Sequence, residues 1–123
     1  MIPARLRLSE AGYTLVDADT TGVTEMRSAQ GALAHALGLA PTAGQNLDAM
    51  VDSLRDLPGR WPQARALALL WTGAESLIGA DLAGWMTLTD VLTGAARTHP
   101  LGPAGLRFTA LAVVDGFGTT CSR

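Results

Sequence analysis

The stretch ARALALLW, residues 64–71, constrains the fold more than any other part of the chain. Apart from Arg65 it is wholly apolar, and Pro62 and Gly73 bound it. A run this short between breakers fits a strand buried on both faces, although its alanines and leucines would also suit a helix. It is far too short to span a bilayer. A strand buried on both faces belongs in a parallel sheet with helices over it, so the flanking segments decide the matter.

Those flanks alternate as such a sheet requires. GYTLVDAD (12–19) has the β-branched and aromatic content of a strand, closed by Asp17 and Asp19, and TTGV (20–23) is a turn. Thr24 has the character of an N-cap, with Glu25 suited to the positive end of a helix dipole. Met26, Ala29, Leu33, Ala36 and Leu37 then recur at helical spacing, until Gly38 and Pro41 end the pattern. PTAGQ (41–45) is a loop, and Asn46 is a good N-cap for a helix over 47–57. PGRWPQ (58–63) is a turn-rich break. After the apolar strand, TGAESLIGADLAG (72–84) holds one or two helical turns around 74–78. WMTLTDVLTGAAR (85–97) places Trp85, Leu88, Val91, Leu92 and Ala95 on one helical face. THPLGPAG (98–105) is an exposed loop, LRFTALAVVD (106–115) is a strand, and GFGTTCSR is a Gly-rich tail. Strands separated by helices imply right-handed crossovers. The expected fold is α/β: a small three-stranded parallel sheet flanked by about four helices. One domain is expected over 1–123, with a core of about 12–115 and short extensions at both ends.

Composition narrows the function classes. The net charge of −2 argues against a nucleic-acid binder, which usually shows a basic face. All nine basic residues are arginine, which together with the abundant alanine matches the coding bias of a GC-rich genome. Cys121 is the single cysteine, so no internal disulfide forms and a reducing compartment is implied; its position suits a frayed tail. The start, MIPARLRLSEAG, has no signal-peptide apolar run, and a cytoplasmic location away from membranes is expected. The GFG at 116–118 has no helix after it and makes no dinucleotide site. His35, between two alanines, reads as a surface residue, and His99 lies in a loop; neither has metal-ligand spacing. No strained serine turn is present, so no catalytic residue, metal or cofactor is assigned.

One feature lacks a local explanation. In GQNLDAMVDSLRDL (44–57), Leu47, Met50, Val51, Leu54 and Leu57 form an apolar stripe, while Asp48, Asp52 and Asp56 follow one another at four-residue spacing. Like charges so spaced repel, by a few tenths of a kcal/mol per pair. Arg55 is the only basic residue on this helix. Asp48 suits a first turn, but Asp56 lies at the end the dipole disfavours. Three roles are open: a solvated face, a set of acid/base or metal carboxylates, or a face kept acidic for a basic partner. A row on one outer face converges on nothing, which weakens the second. The missing compensation favours the third.

PTAGQNLDAMVDSL also resembles the signature of the barstar family, in which a proline-led loop runs into G-x-N-L-D-A-x-x-D-x-L. Gly44, Asn46, Leu47, Asp48, Ala49, Asp52 and Leu54 match in register. The order of elements is similar to that family's three-stranded parallel sheet with helices. Barstar-family proteins inhibit secreted guanyl-preferring ribonucleases, so the resemblance implies an inhibitor whose carboxylates mimic RNA phosphates and plug a basic cleft. On that reading Asp52 is the central mimic and Asp48 the second. Asn46 and Gly44 shape the loop's approach, Leu47 and Val51 edge the contact, Thr42 is a further partner-binding residue, and Arg55 is a rim charge. For Asn46, Gly44 and Leu47, roles as N-cap, turn glycine and core leucine are equally open. The loop carries Thr42-Ala43 where the family has aromatic residues; an acid expected late in the fourth helix falls near Gly94; and Leu57 stands where a tryptophan is expected, with Trp61 close behind. The implied partner is a cognate ribonuclease, or another toxin with a basic cleft, bound 1:1. A barstar-like domain for an unrelated protein and a carboxylate-dependent enzyme are the alternatives.

Overall fold

The computed structural model describes residues 4–98, 107–114 and 119–122. In chain order it contains α1 (Ala4–Glu10), β1 (Thr14–Asp19), α2 (Met26–Ala36), a 3-10 turn (Pro41–Gly44), α3 (Leu47–Arg55), α4 (Leu57–Arg60), β2 (Ala66–Thr72), α5 (Glu75–Ala80), α6 (Leu82–Thr98), β3 (Arg107–Val114) and β4 (Thr119–Ser122). The sheet order is β1-β2-β3-β4. β2 pairs in parallel with β1 and β3 in a register that sets Val16, Leu69 and Ala110 side by side. This is the expected three-stranded parallel sheet, and its central position explains the apolar run. Every residue of β2 from Ala66 to Trp71 is buried. β1, at the edge, alternates instead: Val16 and Ala18 are buried while Thr14, Asp17 and Asp19 are exposed.

The fourth strand was not expected. β4 pairs antiparallel with β3, placing Cys121 opposite Ala112, so the cysteine's backbone lies in the sheet and not in a frayed tail. GFG gives a poor strand signal, and a short β4 after it is defined by pairing more than by its own pattern. At the other end α1 is a helix packed beside β1, where only an extension was expected. His99, the loop 99–105 and the GFG segment lie outside the described residues.

The helices pack with the sheet around the core. Leu33 and Leu37 from the α2 region, Met50 and Leu54 from α3, and Leu88 and Leu92 from α6 are all almost fully buried. α2 begins one residue later than expected. Glu25 is its N-cap, without a side-chain bond, and its carbonyl receives the Ala29 N–H; Thr24 stands exposed before it. α2 ends as Gly38 foretold. Gly38 takes φ +67, its N–H donates to the His35 carbonyl, and the Leu39 N–H donates to the Ala34 carbonyl. Two side chains then complete this end. Trp61 Nε1 donates to the Leu37 carbonyl at 2.8 Å, and Arg60 Nη1 to that of Gly38 at 3.0 Å. Trp61 is thus a brace for α2, and Leu57 is fully buried in the core.

The expected helix 47–57 is divided in two. Were α3 to continue, Pro58 would have no N–H for the Leu54 carbonyl and its ring would strike that oxygen. α3 therefore stops at Arg55, and α4 starts with Pro58 in its first turn, where proline is tolerated. Asp56 sits between them, its carbonyl accepting the N–H groups of Gly59 and Arg60. Its carboxylate therefore stands near the positive start of α4 as well as the negative end of α3, which relieves the dipole conflict. Elsewhere, at the C-terminal end of β1, Thr21 donates its hydroxyl and its N–H to Asp19, holding that carboxyl below the usual aspartate range.

Candidate partner-binding face

α3 is positioned from its N-terminal end. Asn46 is extended, at φ −141 and ψ 127, and its Oδ1 accepts from Asp48 N at 2.8 Å and Ala49 N at 3.2 Å. An N-cap of this kind contributes about 1 kcal/mol. It also spends the Asn46 side-chain oxygen on the helix, so the cap role is the one the structure displays.

The loop before it is held to α2. Gln30, buried on α2, donates through Nε2 to the Ala43 carbonyl at 2.9 Å, and Ala43 itself is fully buried. A Cβ on Gly44 would lie 3.2 Å from the Gly31 Cα, so glycine at this position lets the two backbones approach. The Ala40 N–H donates to Ser53 Oγ of α3 at 3.0 Å. Within this clamp Gly44 is packing glycine, and only Thr42 of the Thr42-Ala43 pair is exposed. Gln30 and Ser53 are polar side chains that the sequence reading does not assign to the site. Their signal is positional: each falls on the apolar stripe of its helix, where a polar side chain must have a buried partner.

α3 then sorts its side chains by face. Met50, Ser53 and Leu54 are buried, Leu47 and Val51 are half-buried, and Asp48, Asp52, Arg55 and the junction residue Asp56 are exposed. Leu47 packs against the core, in keeping with its structural role. Asp52 and Arg55 form an ion pair of 3.4 Å, with side chains 74% and 71% exposed. Asp48 and Asp52 thus stand one turn apart on the open side of a helix fixed at its start and its floor.

Beside them, α3 and α6 enclose a groove of about 290 Å³. Val51 and Arg55 line it from α3, and Asp90, Val91, Gly94 and Ala95 from α6. Gly94, near the position of the acid that the resemblance implies, has no side chain to give. Asp90, one turn earlier on the same helix, is exposed and supplies a carboxylate at this edge. Neither Asp48 nor Asp52 lines the groove. Among the described residues no group of three or more His, Cys, Asp and Glu side chains is placed to hold a metal ion. His35 is exposed, as expected. No helix among the described residues is long and apolar enough to cross a membrane.

A family model described as Barstar (barnase inhibitor) matches residues 13–112. No curated protein and no solved structure matches the chain. The match takes in β1, β2, most of β3 and every helix from α2 to α6, together with the capped acidic helix on which the signature falls. The chain belongs to the barstar family.

Proposed function

We propose that this protein inhibits a ribonuclease by seating the exposed side of α3 in the enzyme's basic, phosphate-binding cleft. One observation carries the reading: in a chain of the barnase-inhibitor family, Asp48 and Asp52 project from a helix whose start is capped and whose loop is clamped. A side chain held on a preorganised element loses little entropy when it docks. Two carboxylates one turn apart present acceptors to arginine and lysine as successive phosphates do.

Asp52 is the central contact and Asp48 the second. Thr42, Val51 and Arg55 border them, while Asn46, Gly44 and Leu47 act by shaping the helix and loop. Catalytic carboxylates work in an enclosed pocket that shifts their pKa, and the exposed setting of Asp48 and Asp52 supports binding instead. Ala43 is buried, so the loop presents no aromatic anchor. This favours a ribonuclease other than barnase, since aromatic anchors commonly dominate such contacts.

The test is a titration of RNA cleavage by each secreted ribonuclease encoded in the same genome, with barnase alongside. One of the genome's own enzymes is expected to lose its activity at one equivalent of inhibitor. Undiminished cleavage by every enzyme in the set would overturn the proposal.

A further inference from the structure

The central carboxylate of the proposed face is not free in the unbound protein. Asp52 already holds the Arg55 guanidinium through Oδ1, and a partner's cation that takes both carboxylate oxygens displaces it. The pair is 3.4 Å long, and both side chains are largely exposed. Such pairs change an equilibrium by about fivefold at most. Displacement is therefore easy, but it leaves a positive charge at the rim of a contact with a positively charged cleft. Unless that charge finds another carboxylate, it repels the partner.

The groove between α3 and α6 supplies one. Arg55 lines it, and Asp90 lines the same groove from α6. Val51, Val91 and Ala95 form its apolar walls. An arginine stem packs well on such walls while its guanidinium stays in water. Arg55 thus pairs with one exposed carboxylate, Asp52 on its own helix, and shares the groove with another, Asp90 on the neighbouring one.

We infer that Arg55 and Asp90 together set the specificity of the acidic face by a hand-over: Arg55 guards Asp52 in the free protein and passes to Asp90 when a partner's cation takes its place. The guard raises the threshold for weakly basic partners, and Asp90 removes the penalty for the right one. Asp90 acts here through Arg55, as a positioning residue, and need not touch the partner. This inference rests on the ribonuclease-inhibitor reading of α3.

The experiment is a double-variant cycle with two readouts. Dissociation constants are measured for wild type, Arg55→Ala, Asp90→Asn and the double variant against barnase and the ribonucleases of the same genome, with melting temperatures confirming that each variant folds. Arg55→Ala is expected to tighten binding by about twofold to fivefold, and Asp90→Asn to weaken it by a similar factor. In the Arg55→Ala background Asp90→Asn is expected to change nothing. Equal losses from Asp90→Asn in both backgrounds would mean that Asp90 meets the partner directly and would overturn the hand-over. So would weaker binding by Arg55→Ala.

The second readout needs no partner. In an Asp52→Asn protein, Arg55 is left with Asp90, so its Nε–Hε resonance should shift when Asp90→Asn is added. A resonance indifferent to Asp90 in that background overturns the hand-over even where a ribonuclease binds. A resonance that responds, in a protein that binds none of the enzymes, keeps the Arg55–Asp90 contact but overturns the proposed function and the hand-over that rests on it.

Discussion

Asp52→Ala is expected to weaken inhibition of the cognate ribonuclease by roughly a hundredfold to several thousandfold while leaving the fold intact. In the free protein the carboxylate is exposed, and its pairing with Arg55 is worth no more than about 1 kcal/mol. Alanine is also the better helix former, so the melting temperature should stay level or rise slightly. Binding changes the setting. Seated in a cleft as proposed, Asp52 would be desolvated against fixed cations, and deleting it would strand those cations without a partner. Removing one member of such a buried pair costs about 3–5 kcal/mol, at about 1.4 kcal/mol for each factor of ten. Asp48→Ala should cost less, because part of what holds Asp48 in place is the first-turn dipole of its own helix. Inhibition constants for the two variants, with melting curves as control, check this. Equal inhibition by wild type and Asp52→Ala would remove Asp52 from its assigned place.

The largest loss of stability is expected from Trp71→Ala. Trp71 is 1% exposed in β2, its ring centroid lies 4.8 Å from that of Trp85 on α6, and its Nε1 donates to Thr20 Oγ1 at 2.8 Å. Thr20 in turn donates through its hydroxyl and its N–H to the Thr72 carbonyl, joining the end of β1 to β2. Alanine would leave a cavity where sheet and α6 meet, costing about 3–5 kcal/mol. It would also remove a tilted aromatic pair worth about 0.5–1.5 kcal/mol more. Domains of ordinary stability hold about 5–15 kcal/mol, so the variant should be close to unfolding. Trp71→Phe keeps much of the ring contact and should lose far less. Urea denaturation of the three proteins tests this. A midpoint for Trp71→Ala within error of wild type would contradict the core as described.

The parts of the fold legible in the sequence were those whose cause is local or periodic. The apolar run of β2, the Gly38 stop of α2 and the Asn46 cap of α3 each carry their reason within a few residues. What escaped was set by partners distant in the chain. β4 exists because β3 offers it an edge, and the signal within its own residues is slight. The split at Asp56 was written in Pro58, but an apolar stripe reaching Leu57 concealed it.

The candidate site divides in the same way. The Asp48–Asp52 spacing, with Arg55 alongside, could be read directly, because an i, i+4 relation on a helix is a statement about geometry. The row of three became a row of two once α3 ended at Arg55. Gln30 and Ser53 hold the loop through bonds to Ala43 and Ala40, which only the packing of helices reveals. Asp90 reaches the edge of the acidic face because α6 lies against α3, and nothing in its own neighbourhood marks it.

The central claim is that the exposed side of α3 is where a ribonuclease docks, and a footprint on the complex tests it most directly. Backbone amide signals of the isotope-labelled protein would be followed as the cognate ribonuclease, inactivated at its catalytic residue, is added to one equivalent. The largest changes are expected along 46–55 and in the facing turns of α6 around Asp90, with the β1 edge unchanged. Saturation at one equivalent with the changes confined to β1 or α1, and α3 silent, would contradict the account.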